Sequence, residues 1–232
     1  MLDLAQFEWL SFDCYGTLID WESGILGYLQ PLLEVKGRFA SDEEVLSLYS
    51  ELEPRQQTGP YRTYREVLSG VVRDVGRELR FPVTPTDAAG LADSIRDWEP
   101  FPDTIDALRR LQSRYKLAIL SNIDDDLFAY SAAKLQIHFD SVLTAQRLRS
   151  YKPSPENFRA LLRRLGIERE RLLHVAESLY HDVAPARSLG IATVWVNRRQ
   201  GRAAAASKLA SVKPNLEVRN LAELAAMAVS PA

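Results

Sequence analysis

The sequence predicts an α/β fold: a parallel sheet with helices on both faces and a helical cap inserted into it. Three observations carry this. Apolar, β-branched stretches alternate with helix-like segments. The span 20–98 is amphipathic and helical in pattern, with no clear strand. The first apolar stretch, Trp9-Leu10-Ser11-Phe12, ends in Asp13 and runs into a Gly16-Thr17 turn. A carboxylate at the end of a buried strand in such a chain points into the crevice where ligands bind.

In chain order, strands are expected at 7–12, 117–120, 172–176 and 193–196, with a further short one at 141–144. Helices fall between them at 104–114, 125–135, 155–165 and 183–189. Pro155 stands where proline can open a helix. The insertion reads as helices at 25–33, 42–52, 61–79 and 85–95. Trp98-Glu99-Pro100-Phe101-Pro102 is a stiff return to the sheet, because proline suppresses helix. The expected division is a core of 1–19 and 99–232 and a cap of 20–98, with the active site between them.

Composition narrows the field. The 232 residues are 46% hydrophobic and 26% charged, as in ordinary globular proteins. A net charge of −2 gives no electrostatic reason to expect nucleic acid or an anionic membrane as partner. No basic start leads into a long apolar segment, so neither a signal peptide nor a membrane span is expected. The single cysteine, Cys14, excludes an intramolecular disulfide and makes a reducing, cytoplasmic setting the default. Next to a strand end it reads as a packing residue. The stretch 201–207 is Ala-rich but too short to be low-complexity.

Four segments near the sheet's carboxyl edge can carry chemistry. Asp13 is placed as a carboxylate nucleophile, against the plainer reading of a turn residue. Ser121 and Asn122 follow the second expected strand and can hydrogen-bond an anionic group, or simply cap the next helix. Lys152, held by Pro153, can pair with Asp13 and keep it ionised. Glu177 and Asp182 follow the strand 172–176. They suit Mg²⁺, or without a metal Asp182 can bind Lys152 or orient a water. Ser178 and His181 lie between these two carboxylates, and His181 is a candidate site residue. His138 and His174 read as structural.

Together these pieces resemble the haloacid dehalogenase superfamily of hydrolases, over essentially the whole chain. The motifs Asp13-Cys14-Tyr15-Gly16-Thr17, Ser121-Asn122, Lys152-Pro153 and Glu177 through Asp182 occur in the family's order. The resemblance implies a Rossmann-like core, attack by Asp13 on carbon or phosphorus, and hydrolysis of a covalent aspartyl intermediate. It implies catalytic roles for Asp13, Lys152, Asp182, Ser121, Asn122 and Glu177. Tyr15, Thr17, Trp21, Tyr61, Arg62, Ser178 and His181 would bind substrate, with a cap arginine (Arg55, Arg62 or Arg65) clamping a carboxylate.

Tyr15 selects the branch. Phosphate-transferring members usually carry a second Asp there as general acid. Tyrosine, with an unperturbed pKa of about 10, is a poor substitute, and carbon-attacking 2-haloacid dehalogenases show this replacement. The expected substrate is then a small 2-substituted carboxylic acid, with no cofactor. Glu177 and Leu179 stand where that branch has Ser and Asn, which leaves open an azetidine-2-carboxylate ring-opening hydrolase. A Mg²⁺-dependent phosphatase, with Asp13, Tyr15, Asp182 and Glu177 around the metal, is the next alternative, and a non-catalytic binding protein the last. The resemblance also leaves a homodimer open.

Overall fold

The computed structural model describes residues 2–199 and 212–229; the Ala-rich stretch 201–207 lies outside them. Six parallel strands form one sheet: β1 (Trp9–Phe12), β2 (Lys116–Ser121), β3 (Ser141–Thr144), β4 (Leu172–Ala176), β5 (Ala192–Val196) and β6 (Leu216–Val218). Their order is β3-β2-β1-β4-β5-β6. The chain winds outward from β1 on one side, then returns to start β4 on the other. That reversal opens a crevice at the carboxyl ends of β1, β2 and β4.

The strands are buried on both faces because successive side chains point to opposite sides. Leu117 and Ile119 enter one apolar cluster with Leu10, Phe12, Leu173 and Val175. Ala118 and Leu120 enter another with Trp9, Leu172, Phe158 and Leu161. Phe158 and Leu161 come from the helix Pro155–Leu165, which covers that second face. The helices Thr104–Gln112 and Leu221–Ala228 contribute Leu108, Leu111, Leu221 and Leu224 to the first.

Between β1 and the core helix Thr104–Gln112 run four α-helices: α1 (Trp21–Val35), α2 (Asp42–Gln56), α3 (Tyr64–Glu78) and α4 (Pro85–Ser94). Three begin with reciprocal capping boxes, Ser41 with Glu44, Thr63 with Glu66 and Thr84 with Asp87. These caps fix the helix starts. The third begins at Tyr64 and not at 61, so Tyr61 and Arg62 lie in the preceding loop. α2 extends past the expected 52 to Gln56, with Pro54 in its last turn. The chain enters and leaves this helical layer through paired segments. Asp20 N–H donates to the Glu99 carbonyl (2.9 Å) and Phe101 N–H to that of Leu18 (3.1 Å).

Besides single 3₁₀ turns, three elements go beyond the sequence reading among the described residues: the short helix Ala145–Leu148, β6 and the helix Leu221–Ala228. The expected helix 183–189 is also different. A π-helical turn, Leu179–Val183, precedes the helix Ala184–Ser188. No described helix is long and apolar enough to cross a membrane.

Candidate active site

Parallel register brings the motifs to one edge. Phe12 pairs with Ile119 on one side and Val175 on the other. Asp13 therefore emerges level with Leu120 and Ala176, with Ser121 and Glu177 one residue further on. Lys152 reaches this edge from the loop before the helix Pro155–Leu165. The Asn122 side chain clasps its backbone, with the amide donating to the Lys152 carbonyl (3.0 Å) and the amide oxygen accepting Lys152 N–H (2.7 Å).

The Lys152 ammonium has a buried partner for each of its three donors: Asp13 Oδ1 (2.8 Å), Asp182 Oδ1 (2.6 Å) and the Leu120 carbonyl (3.0 Å). Burial works against the Lys152 charge, but the two carboxylates outweigh it and raise its pKa. Asp182 also bonds His174 Nε2 (2.8 Å), whose Nδ1 meets Ser11 Oγ (2.8 Å). Burial alone would raise Asp182; Lys152 and His174 bring it below the usual aspartate value. For Asp13 burial prevails over Lys152, and its pKa lies above that value. The second Asp13 oxygen accepts a bond from Thr17 Oγ1 (3.2 Å), and Ser121 Oγ lies 3.5 Å from the first. Asp182 Oδ2 is buried without a hydrogen-bond partner among the described residues.

A cavity of about 60 Å³ opens above Asp13, enough for only a handful of heavy atoms. Asp13, Tyr15, Ser121, Asn122, Lys152, Glu177, Ser178, His181 and Asp182 line it from the sheet side, together with Trp21. Tyr49, Ser50, Glu53, Pro54 and Tyr64 close it from α2 and α3. The Tyr15 hydroxyl is spent on Ser131 Oγ (2.9 Å), and burial pushes its pKa well above the usual phenol value. Ser178 Oγ accepts the His181 N–H (3.0 Å) and caps the π-helical turn that presents Asp182. Gly16 adopts a left-handed φ of 89°, and a Cβ there would stand 2.9 Å from Trp21 Nε1.

Three expected substrate contacts are corrected. Thr17 is fully buried beneath the cavity, where its hydroxyl also accepts the Glu177 N–H (3.0 Å). Arg62 donates to the Gln56 carbonyl and lines a separate surface groove. Tyr61 stacks on Tyr151 with ring centroids 5.4 Å apart. The other cap arginines point elsewhere as well: Arg55 pairs with Glu51, and Arg65 with Asp93 and Asp126. The helix start at Tyr64 explains this, since it leaves 61–62 outside the helix face turned to the cavity.

Other residues carry roles the sequence did not reveal. His174 is a buried link to Asp182, signalled only by being polar in an otherwise apolar strand. Asp124, 2% exposed, accepts the Tyr64 and Arg65 amides (2.9 and 3.0 Å), so a sheet-side carboxylate caps α3 and fixes Tyr64 over the site.

Lys152 engages one oxygen each of Asp13 and Asp182, the Tyr15 hydroxyl is turned to Ser131, and among the described residues no group of three or more His, Cys, Asp or Glu is placed to hold a metal ion.

The doubly wound sheet carries a carboxylate–lysine–carboxylate cluster at its switch point, where open α/β sheets bind their ligands. The model of the haloacid dehalogenase-like hydrolases matches residues 8–190, and the chain belongs to that family. It is an enzyme of the haloacid dehalogenase type. The (S)-2-haloacid dehalogenase of Pseudomonas sp. (strain YL) is 28% identical over 197 residues, 82% of each chain. Haloacetate dehalogenase H-2 of Moraxella sp. (strain B) is 27% identical over 201 residues, 84% of this chain and 88% of its own. The L-2-haloacid dehalogenase of Xanthobacter autotrophicus, solved with chloropropionic acid covalently bound, superposes with a TM-score of 0.77. It is 19% identical, covering 97% of this chain and all of its own.

Proposed function

We propose that this enzyme hydrolyses a small 2-substituted carboxylic acid by attack of Asp13 on a saturated carbon. The observation that carries this reading is the state of Tyr15. Two residues beyond Asp13, where an oxygen leaving group would need a proton donor, stands a half-buried neutral phenol committed to Ser131. A halide leaves without a proton.

In the first step an Asp13 oxygen bonds to C2, and the C2–halogen bond breaks with its electron pair leaving on the halide. The Lys152 ammonium holds Asp13 in place and favours its ionised form. The acid's own carboxylate is placed toward the Ser121–Asn122 turn, with the Lys152 charge nearby. In the second step water attacks Cγ of Asp13. Asp182 Oδ2 accepts one of its protons and returns it to the ester oxygen as that leaves on C2, the 2-hydroxy acid departs, and the water's other proton is released to solvent as Asp13 re-ionises. Thr17 and His174 position this machinery without touching substrate, and Asn122 holds the Lys152 backbone from the cavity's edge.

The covalent chloropropionic acid in the Xanthobacter enzyme supports the same route. The test is halide release from each enantiomer of 2-chloropropionate with EDTA present. Release from one enantiomer is expected. Release of phosphate from phosphate esters, abolished by EDTA, with inertness toward halo acids would overturn the reading.

A further inference from the structure

Two polar side chains stand inside an otherwise apolar face of the sheet. Ser11 on β1 and His174 on β4 pair across the strands, and both are fully buried. Trp9, Leu172 and Phe158 belong to the apolar cluster on that face, and the Phe158 ring meets the imidazole edge to face at 5.0 Å. Burying such a pair is costly unless its bonds are made. They run in one line from Ser11 Oγ to His174 Nδ1 (2.8 Å), and from His174 Nε2 to Asp182 Oδ1 (2.8 Å). The line ends in the active site.

Asp182 receives both of its bonds on one oxygen. Lys152 Nζ lies 2.6 Å and His174 Nε2 2.8 Å from Oδ1, while Oδ2 is buried with no partner among the described residues. An ionised carboxylate only accepts, so Nε2 carries the proton in this bond. During attack on carbon the ammonium is shared between Asp13 and Asp182. Once Asp13 is an ester its charge is gone, and Lys152 is drawn to Asp182 alone. A carboxylate free to turn would then give both oxygens to Lys152 and leave none for water. The imidazole resists that turn. It is fixed on its strand, tied to Ser11 at Nδ1 and packed on Phe158, and it holds Oδ1 from a second direction.

We infer that His174 is a positioning residue for the second step alone: its Nε2–H bond to Oδ1 keeps Oδ2 of Asp182 open to the water that cleaves the Asp13 ester. It touches neither substrate nor the reacting atoms, and attack of Asp13 on C2 does not depend on it. This rests on reading Asp13 as the nucleophile that forms the ester.

The experiment follows a single turnover of 2-chloropropionate, with enzyme in excess, in the native protein, His174→Leu and His174→Gln. Halide reports the first step. The mass of the Asp13 ester and the appearance of the 2-hydroxy acid report the second. In His174→Leu halide is expected within about threefold of the native rate, while ester cleavage slows roughly ten- to a hundredfold, the scale of a hydrogen bond to a charged group. The ester then accumulates. Gln keeps a donor near the place of Nε2 and should recover most of that loss. Unchanged ester cleavage, equal slowing of both steps, or a Gln variant as slow as Leu each overturn the inference. A second measurement needs no variant. Nitrogen-15 NMR of the three histidines should show, for the fully buried ring, an Nε2-bound proton slow to exchange with solvent. A bare Nε2 overturns the assignment, whether or not the Leu variant folds. No halide from the native protein removes the Asp13 reading, and this inference with it. Halide with both steps equally slowed in the Leu variant keeps that reading and removes only this one.

Discussion

Replacing Lys152 by Met tests the buried cluster most directly. The ammonium lies between Asp13 Oδ1 at 2.8 Å and Asp182 Oδ1 at 2.6 Å, and both carboxylates are buried. Met fills much of the volume but leaves two carboxylates facing each other with only His174 on one of them. Breaking a buried ion pair by removing one partner costs about 3–5 kcal/mol. That cost depends on pH with a definite sign. Without Lys152, burial and mutual repulsion both raise the carboxylate pKa values in the folded variant. Between the ordinary aspartate pKa of about 3.9 and the raised values, the folded variant binds more protons than the unfolded chain. Its stability therefore rises as pH falls, by up to about 1.4 kcal/mol per pH unit for each proton. In the native protein Asp13, also raised, keeps the variant's sign, while Asp182 behaves oppositely, because it is held below its ordinary value. Its contribution is present above the unfolded pKa and is lost as pH falls through the lowered one. Urea unfolding of both proteins at about pH 8 and about pH 5 reads the difference. The gap is expected to be wide at the higher pH and narrower at the lower. A gap below about 1 kcal/mol near neutrality, or one that does not change with pH, would refute the reasoning.

Other outcomes follow from the same geometry. Tyr15→Phe should keep kcat within about threefold and cost about 1 kcal/mol of stability for the lost Ser131 bond; a drop of about a hundredfold or more would mark the phenol as an acid after all. Gly16→Ala should cost about 1–3 kcal/mol from its left-handed backbone, and KM should rise as the new methyl displaces Trp21, both read from thermal unfolding and steady-state rates. The acid limb of kcat/KM should lie above the ordinary aspartate pKa, because burial raises Asp13; the rate falls as pH drops through that raised value, and a limb at about 3.9 would contradict the burial argument.

Much of the fold could be read from the chain. The strand Leu172–Ala176 and the helices Asp125–Leu135 and Pro155–Leu165 have the bounds that periodicity and punctuation predict. The last two end in left-handed Gln136 and Gly166, where apolar periodicity stops. β6 was not legible, because three residues with a charged Glu217 in the middle give no strand period. The π-helical turn was not either, since one extra residue per turn leaves no mark in the hydrophobic pattern. Among site residues, those directly after strands were legible. Tyr49, Glu53 and Tyr64 were not, because which face of a helix meets a cavity depends on how α2 and α3 dock.

By itself the sequence determined the sheet, its direction and the residues at its carboxyl edge. Strand period and motif order are local properties, and parallel connection follows from alternation of strand and helix. Only the tertiary structure decided the opposite wall. The capping box at Thr63 and the grip of Asp124 on the Tyr64 and Arg65 amides rotate α3 so that Tyr64, and not Tyr61 or Arg62, covers Asp13. The docking of α2 likewise turns Glu53 inward while Arg55 stays in solvent. The physical reason is that the nucleophile's position is fixed by register along one strand. The substrate's surroundings are set by the packing angles of helices far from it in sequence.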